Sequence, residues 1–170
     1  MAVLSTDDMC GGGQGMPPFV PIADVNPGFL DFMRGALQSL VANGTTPIVY
    51  AVQTGYETFM TNAAMLTGDK HLILVTDGAD TCASRQEMAR LINTGAPQAL
   101  QMGIRTWVIG APGSEPARSD LSHLAKAGGT PRPNCDVNSN CHYDMTMGDF
   151  ATTFGMALQE ILSAVTCKVR

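Results

Sequence analysis

The stretch from His71 to Cys82 constrains the fold more than any other part of the sequence. It opens with an uninterrupted apolar run, Leu72 to Val75, which is typical of a strand buried on both faces of a parallel sheet. Thr76 and Asp77 then place a hydroxyl and a carboxylate at the carboxyl end of that strand, and Gly78 permits a sharp turn. Ligands of open α/β sheets bind at this end of the strands. Hard oxygen donors there favour Mg²⁺, Mn²⁺ or Ca²⁺.

The composition indicates one globular domain that spans residues 1–170. Hydrophobic residues make up 45% of the chain, which is enough for a substantial core. The formal charge of −5 and the lack of a Lys/Arg cluster argue against nucleic acid as a partner. No apolar run reaches the roughly 18 residues that a membrane span needs. The N-terminus lacks the basic start of a signal peptide, so we expect an export signal to be absent or removed.

Five cysteines are many for a cytosolic domain of this size. They form no Cys-x-x-Cys pair, and no histidine is spaced to complete a zinc site. We therefore expect oxidising surroundings and one or two disulfides. Cys10 and Cys82 follow strands that end at one edge of the sheet, whereas Cys135, Cys141 and Cys167 belong near the opposite edge. Bridges are expected within these two groups and not between them, and the odd number leaves at least one thiol over.

Strand and helix signals alternate along the chain and predict an α/β fold. Strands are expected at Ala2–Thr6, Phe19–Val25, Leu72–Val75, Ile104–Gly110 and His142–Met145. A first helix is expected from Asn26 to Gly44, and a second one begins at Pro47. A third begins at Ser84, and a short fourth one ends at Met102. A fifth begins at Ser119, and the last runs from about Thr146 to Cys167. Buried strands joined by helical crossovers predict a three-layer, doubly wound, mostly parallel sheet. Its two strongest strands, Leu72–Val75 and Thr106–Ile109, are expected to be neighbours at its centre.

Local signals define several helix boundaries. Asn26 followed by Pro27 is an N-cap with proline at the first helical position. Ser84 and Glu87 have the spacing of a capping box. Thr94–Pro97 is expected to break the helix that Ser84 starts, and Ser119 is expected to cap the next one.

Two stretches together resemble the von Willebrand factor type A (vWA) domain. Gly44-Thr45-Thr46-Pro47 opens a helix, and after that helix comes the strand that ends in Thr76-Asp77-Gly78. Leu124-Ala125-x-x-Gly128-Gly129, downstream of the strand Ile104–Gly110, is similar to a bacterial secreted subgroup. That subgroup has cysteines around the Thr-Asp-Gly strand and at the C-terminus. The resemblance covers nearly all 170 residues, from the family's second strand to its last helix.

This resemblance implies a non-enzymatic binding domain for metal-dependent adhesion or complex assembly. In the family, a metal ion at the top of the sheet is completed by an acidic residue of a protein partner. Thr46 and Asp77 match two parts of this metal-ion-dependent adhesion site. On spacing alone, helix capping by Thr45 or Thr46 is the simpler interpretation. The resemblance also implies an extracellular, periplasmic or cell-surface location.

The family's remaining ligand motif, Asp-x-Ser-x-Ser, does not occur in this sequence. The chain starts at the family's second strand, so either an N-terminal part is missing or the copy is degenerate. The abrupt start within a strand favours truncation. Asp80, Asp7 and Asp8 are the nearest residues that could supplement the partial site. Two protein oxygens hold Mg²⁺ or Mn²⁺ poorly, so we expect weak or no binding of these ions and a marginally stable domain.

Two other functional interpretations are weaker. Asp136–Asn140 reproduces the opening of a calcium loop, but Cys141 replaces its glycine and Met147 its final glutamate. A polar loop with Asx turns is the preferred interpretation. A small metal-dependent hydrolase or transferase using Asp77 and Asp80 is the alternative function. The sequence has no Gly-x-Ser-x-Gly elbow, and its three histidines are scattered.

Overall fold

A computed structural model describes residue 10 and residues 22–39 and 44–166. Over these residues the chain is a mixed α/β protein with a three-stranded parallel sheet. The helices are α1 (Pro27–Gln38), α2 (Ile48–Thr61), α3 (Arg85–Arg90), α4 (Ala96–Gln101), α5 (Arg118–Ala127) and α6 (Phe150–Thr166). The strands are β1 (Lys70–Thr76), β2 (Ile104–Gly110) and β3 (Tyr143–Asp144).

Several predictions lie outside the described residues. They are the strand Ala2–Thr6, the first part of the strand Phe19–Val25, the supplementary residues Asp7 and Asp8, and Cys167. Residues 22–25 of the second predicted strand are described, and they have no regular secondary structure.

The sheet has the order β1-β2-β3 with both pairs parallel. Leu72 pairs with Thr106 and Val75 with Ile109, which confirms that the two strongest strands are neighbours. In the described sheet only β2 is central, and β1 lies at an edge. β3 is only two residues long and extends the sheet beside Ile109 and Gly110. Because the strands are parallel, their carboxyl ends lie at one edge of the sheet.

Most buried hydrophobic residues of the described ranges form two clusters, which β2 separates. Successive side chains of a strand point to opposite faces. Ile104 and Val108 accordingly belong to a large cluster with residues of α2 to α5. Trp107 and Ile109 belong to a smaller cluster with β3 and α6. Helices therefore pack against both faces of β2.

β1 is less buried than its apolar run predicts. Ile73 and Val75 are 42% and 47% exposed, although the sequence predicts burial of both faces. The physical reason is the position of α6. The buried residues of α6 belong to the cluster of Trp107, Ile109 and Tyr143. α6 therefore covers this face of the sheet over β2 and β3, and not over Ile73 and Val75 of β1.

Two capping predictions are confirmed. The side chain of Asn26 accepts a hydrogen bond from Phe29 N at 3.0 Å, and Pro27 begins α1. Ser84 and Glu87 form the reciprocal hydrogen bonds of a capping box at the start of α3. Each of these signals joins residues three positions apart, so neither depends on the rest of the fold.

Four helix predictions are wrong in detail. Thr94–Pro97 does not break the third helix, because the backbone passes through a π-helical turn, Leu91–Gly95, directly into α4. A 3₁₀ turn leads into α5 at Arg118, so Ser119 is not its cap. α6 begins at Phe150, four residues after Thr146, where the Asp149 carboxylate accepts the Thr152 N–H. α1 ends at Gln38 with Ser39 as its C-cap, before the predicted end at Asn43-Gly44.

Two disulfides link Cys10 to Cys82 and Cys135 to Cys141, each with a Cα–Cα distance of 4.9 Å. Both fall within the two predicted groups, so the expectation of one or two bridges is confirmed for the described cysteines. This pairing is consistent with an oxidising environment. In the part of the chain that the structure describes, no helix is long and apolar enough to cross a bilayer.

Candidate functional site

Thr46 and the turn after β1 meet at the carboxyl edge of the sheet. The Thr46 hydroxyl oxygen lies 3.5 Å from the position that a Cβ on Gly78 would occupy. Two hydrogen bonds fasten the loops together: Thr46 N donates to Thr81 Oγ1 at 2.8 Å, and Thr81 N donates to the Thr46 carbonyl at 3.0 Å. The resemblance to the vWA domain implies one site for Thr46 and Asp77, and the fold brings their loops into contact.

Asp77 projects from this turn with an exposed side chain. Within the described residues its carboxylate has no hydrogen-bond or ion-pair partner. The loop after β2 lies directly against the backbone of Asp77, since a Cβ on Gly113 would collide with the Asp77 carbonyl oxygen. Gly113 has a φ of 107°, a conformation that also favours glycine. Asp77 thus presents a free carboxylate between two tightly packed loops.

Asp80 has a different role, because its carboxylate is already occupied. Oδ2 accepts the Val49 N–H at 2.7 Å, and Oδ1 accepts the N–H groups of Cys82 and Ala83, each at 2.7 Å. Val49 lies in the first turn of α2, whose N-cap residue, Pro47, makes no side-chain capping bond. Asp80 therefore caps α2 from a distant loop, and the expectation that Thr45 or Thr46 caps this helix is wrong.

Two further threonines at this edge stand out in the structure. Thr76 is buried, and its hydroxyl hydrogen-bonds both the N–H and the carbonyl of Gly78, so it shapes the turn that carries Asp77. The Thr45 hydroxyl is buried and lacks a hydrogen-bond partner in the described part of the chain. An unsatisfied buried hydroxyl is unfavourable. The signal that could have singled out Thr45 was its place beside Thr46, but sequence alone could not show that it is unpaired.

The carboxyl end of β3 carries an ion pair rather than a second free carboxylate. Arg118 Nε donates to Asp144 Oδ2 at 2.7 Å, and Thr146 N donates to Oδ1 at 3.0 Å. Burial acts to raise the pKa of Asp144, but the hydrogen bonds from Thr146 and Arg118 outweigh it, so the pKa lies below its usual value. These contacts fix the start of α5 to the sheet and leave Asp144 little capacity for a ligand.

The Asp136 loop is also internally satisfied. The Asp136 carboxylate accepts hydrogen bonds from Asn138 N at 3.0 Å and from Ser139 Oγ at 3.2 Å. These bonds, from the backbone of Asn138 first, lower the pKa of Asp136. The Cys135–Cys141 disulfide closes the loop. The interpretation as a polar loop with Asx turns is confirmed.

The donor set at the carboxyl edge fits a divalent cation only in part. Thr46 and Asp77 offer one hydroxyl and one unpaired carboxylate, and Asp80 is used elsewhere. Across residues 22–39 and 44–166, no three His, Cys, Asp or Glu side chains are grouped so as to hold a metal ion. Mg²⁺ bound through one or two carboxylates usually keeps several waters or takes substrate oxygens. The site is therefore open towards solvent and needs further ligands.

Comparisons with known proteins returned no match. No model of a known protein family matches the chain, and neither curated proteins nor solved structures gave a match.

Proposed function

We propose that this chain is a vWA-like binding domain that takes part in metal-dependent protein–protein interaction or adhesion outside the cytoplasm. The observation that carries the proposal is the contact between the Thr46 loop and the Asp77–Gly78 turn at the carboxyl edge of a parallel sheet. This edge is the usual ligand position in open α/β sheets. Helices on both faces of β2 support a three-layer, doubly wound arrangement. The two disulfides support a secreted or cell-surface protein.

Each residue of the partial site has a separate task in this proposal. Asp77 supplies the negative charge that attracts Mg²⁺ or Mn²⁺, and Thr46 supplies a neutral oxygen beside it. Asp80 and Thr81 hold the two loops in place without touching the ion. An acidic side chain of a protein partner supplies a further carboxylate to the ion. The proposed function is non-enzymatic, as the resemblance to the vWA domain implies.

Titration calorimetry with Mn²⁺ tests the site. Mn²⁺ alone is expected to bind weakly, and acetate, as a minimal carboxylate, is expected to strengthen the binding. Asp77→Ala should abolish both effects. Thr46→Ala should weaken them, whereas Thr46→Ser, which keeps the hydroxyl, should not.

Asp24→Ala serves as the matched control, because Asp24 is exposed and lies far along the chain from the site. If Asp77→Ala and Asp24→Ala reduce Mn²⁺ binding equally, the ion is held only by the net negative charge, and the proposed site is wrong. Unchanged Mn²⁺ affinity in the presence of acetate would contradict the role assigned to a partner's carboxylate.

A further inference from the structure

His142 lies just before β3 and is 1% exposed. Its Nδ1 atom lies 2.8 Å from Ser122 Oγ, on α5. Ser122 Oγ also accepts the Cys141 N–H at 3.2 Å. Among the described residues, the acceptor within reach of the Ser122 hydroxyl proton is Nδ1 of His142. The neutral ring then carries its proton on Nε2. Burial also lowers the pKa of His142, which favours the neutral form.

Nε2 of this ring has no hydrogen-bond partner among the described residues, and neither has the hydroxyl of Ser114. Ser114 is fully buried in the loop after β2. A buried donor and a buried hydroxyl without partners are both unfavourable, and native proteins rarely leave them so.

Gly110, the last residue of β2, shows that these two atoms border the same space. A Cβ on Gly110 would lie 2.6 Å from Ser114 Oγ and 3.1 Å from His142 Nε2. The two atoms are therefore separated by no more than the sum of these distances. One water molecule bridges such a span with hydrogen bonds of ordinary length.

We propose that Ser114 and His142 enclose a binding site for one buried water molecule beside Gly110. The water accepts a hydrogen bond from His142 Nε2–H and exchanges a second with the Ser114 hydroxyl. Buried waters are held in this way by two to four polar partners that would otherwise be unsatisfied. The site completes a chain of hydrogen bonds from Ser122 through His142 to Ser114.

This series of hydrogen bonds joins three separate elements of the fold. It connects α5, the segment before β3, and the loop after β2, whose Gly113 packs on the Asp77 carbonyl. The proposal does not depend on metal binding by Asp77, and it stands or fails independently of the proposed function.

A crystal structure at a resolution that shows ordered water tests the site directly. The expected result is one water within hydrogen-bonding distance of both Ser114 Oγ and His142 Nε2. An empty space, or a direct hydrogen bond between the two side chains, would overturn the proposal.

NMR spectroscopy provides a second test in solution. In the unmodified chain the His142 ring is expected to be protonated at Nε2, with a magnetisation transfer from a long-lived water to that proton. Ser114→Ala should remove the water signal, and Ser119→Ala, at an exposed serine of the neighbouring helix, should retain it. Protonation of the neutral ring at Nδ1 would contradict the assigned hydrogen-bond directions, and an unchanged water signal in Ser114→Ala would exclude Ser114 as a partner.

Discussion

Asp80 Oδ2 accepts a hydrogen bond from the N–H of Val49 at 2.7 Å, across 31 positions of the sequence. Asp80, the next carboxylate after the candidate metal ligand Asp77, therefore caps α2. Its negative charge lies at the helix N-terminus, where it is stabilised by the helix dipole. The candidate site consequently depends on Asp80 for its shape rather than for a ligand.

Replacement of Asp80 should destabilise the chain. Asp80→Ala leaves three N–H groups without their acceptor, and we expect a loss of roughly 2–3 kcal/mol in the free energy of unfolding. Asp80→Asn keeps one oxygen and should cost less. Urea denaturation measures both, with Asp24→Ala as a control that changes stability by less than about 0.5 kcal/mol. A stability of Asp80→Ala equal to that of the control would show that these hydrogen bonds contribute nothing.

The packing of Gly113 on Asp77 predicts that alanine at Gly113 destabilises the fold more than alanine at Gly103. Gly113 and Gly103 both have a positive φ, but a Cβ on Gly103 meets nothing within 4 Å. Gly103→Ala should cost about 1–2 kcal/mol through backbone strain alone. Gly113→Ala adds a collision with the Asp77 carbonyl, so we expect a further cost of about 1–3 kcal/mol. Equal costs in thermal unfolding would mean that the loop after β2 does not press on Asp77.

His142 makes stability dependent on pH. Burial lowers its pKa, Asp144 acts to raise it, and Arg118 and Arg132 act to lower it further. The unfolded chain therefore takes up a proton below about pH 6.5 that the folded chain resists. Stability should fall as the pH decreases from about 6.5 towards the pKa of the folded state.

Urea denaturation between pH 8 and pH 5 measures this dependence. Asp136, Asp144 and Asp149 have lowered pKa values, so their contributions are lost only near or below about pH 4 and do not overlap this range. His142→Gln should flatten the profile, and His123→Gln, at a partly exposed histidine, should preserve it. A profile that stays flat in the unmodified chain would show that His142 is not held neutral.

The two disulfides should contribute unequally. Cys10 and Cys82 are 72 positions apart, whereas Cys135 and Cys141 are six apart. In the chain-entropy description, removal of the long bridge by paired alanine substitutions costs about 4 kcal/mol, and removal of the short bridge about 2 kcal/mol. Denaturation of the two double variants measures this, and a non-reduced peptide map verifies the pairing. A larger loss from the short bridge would mean that loop entropy is not the main effect.

The features that the sequence predicts correctly are those with short-range signals. Asn26 and Ser84 cap their helices through residues three positions away, so composition and spacing were sufficient. The runs Leu72–Val75 and Thr106–Ile109 pair with each other, which satisfies their backbone N–H and C=O groups. The placement of Thr46 beside Asp77 came from the resemblance to the vWA domain, because Thr46 precedes a helix and follows no described strand. Their sequence order does not show which nearby carboxylate remains free.

Only the tertiary structure decided the roles that depend on distant partners. Asp80 is a cap because the fold brings Val49 to it, and Ile73 is exposed because α6 packs one strand further along. Ser122 reaches His142 through the packing of α5 beside β3. A hydrogen bond or a covering helix requires positions in space to within a few tenths of an ångström, and such positions result from all the packing contacts together. Local sequence determines which groups are available, and packing determines which of them are used.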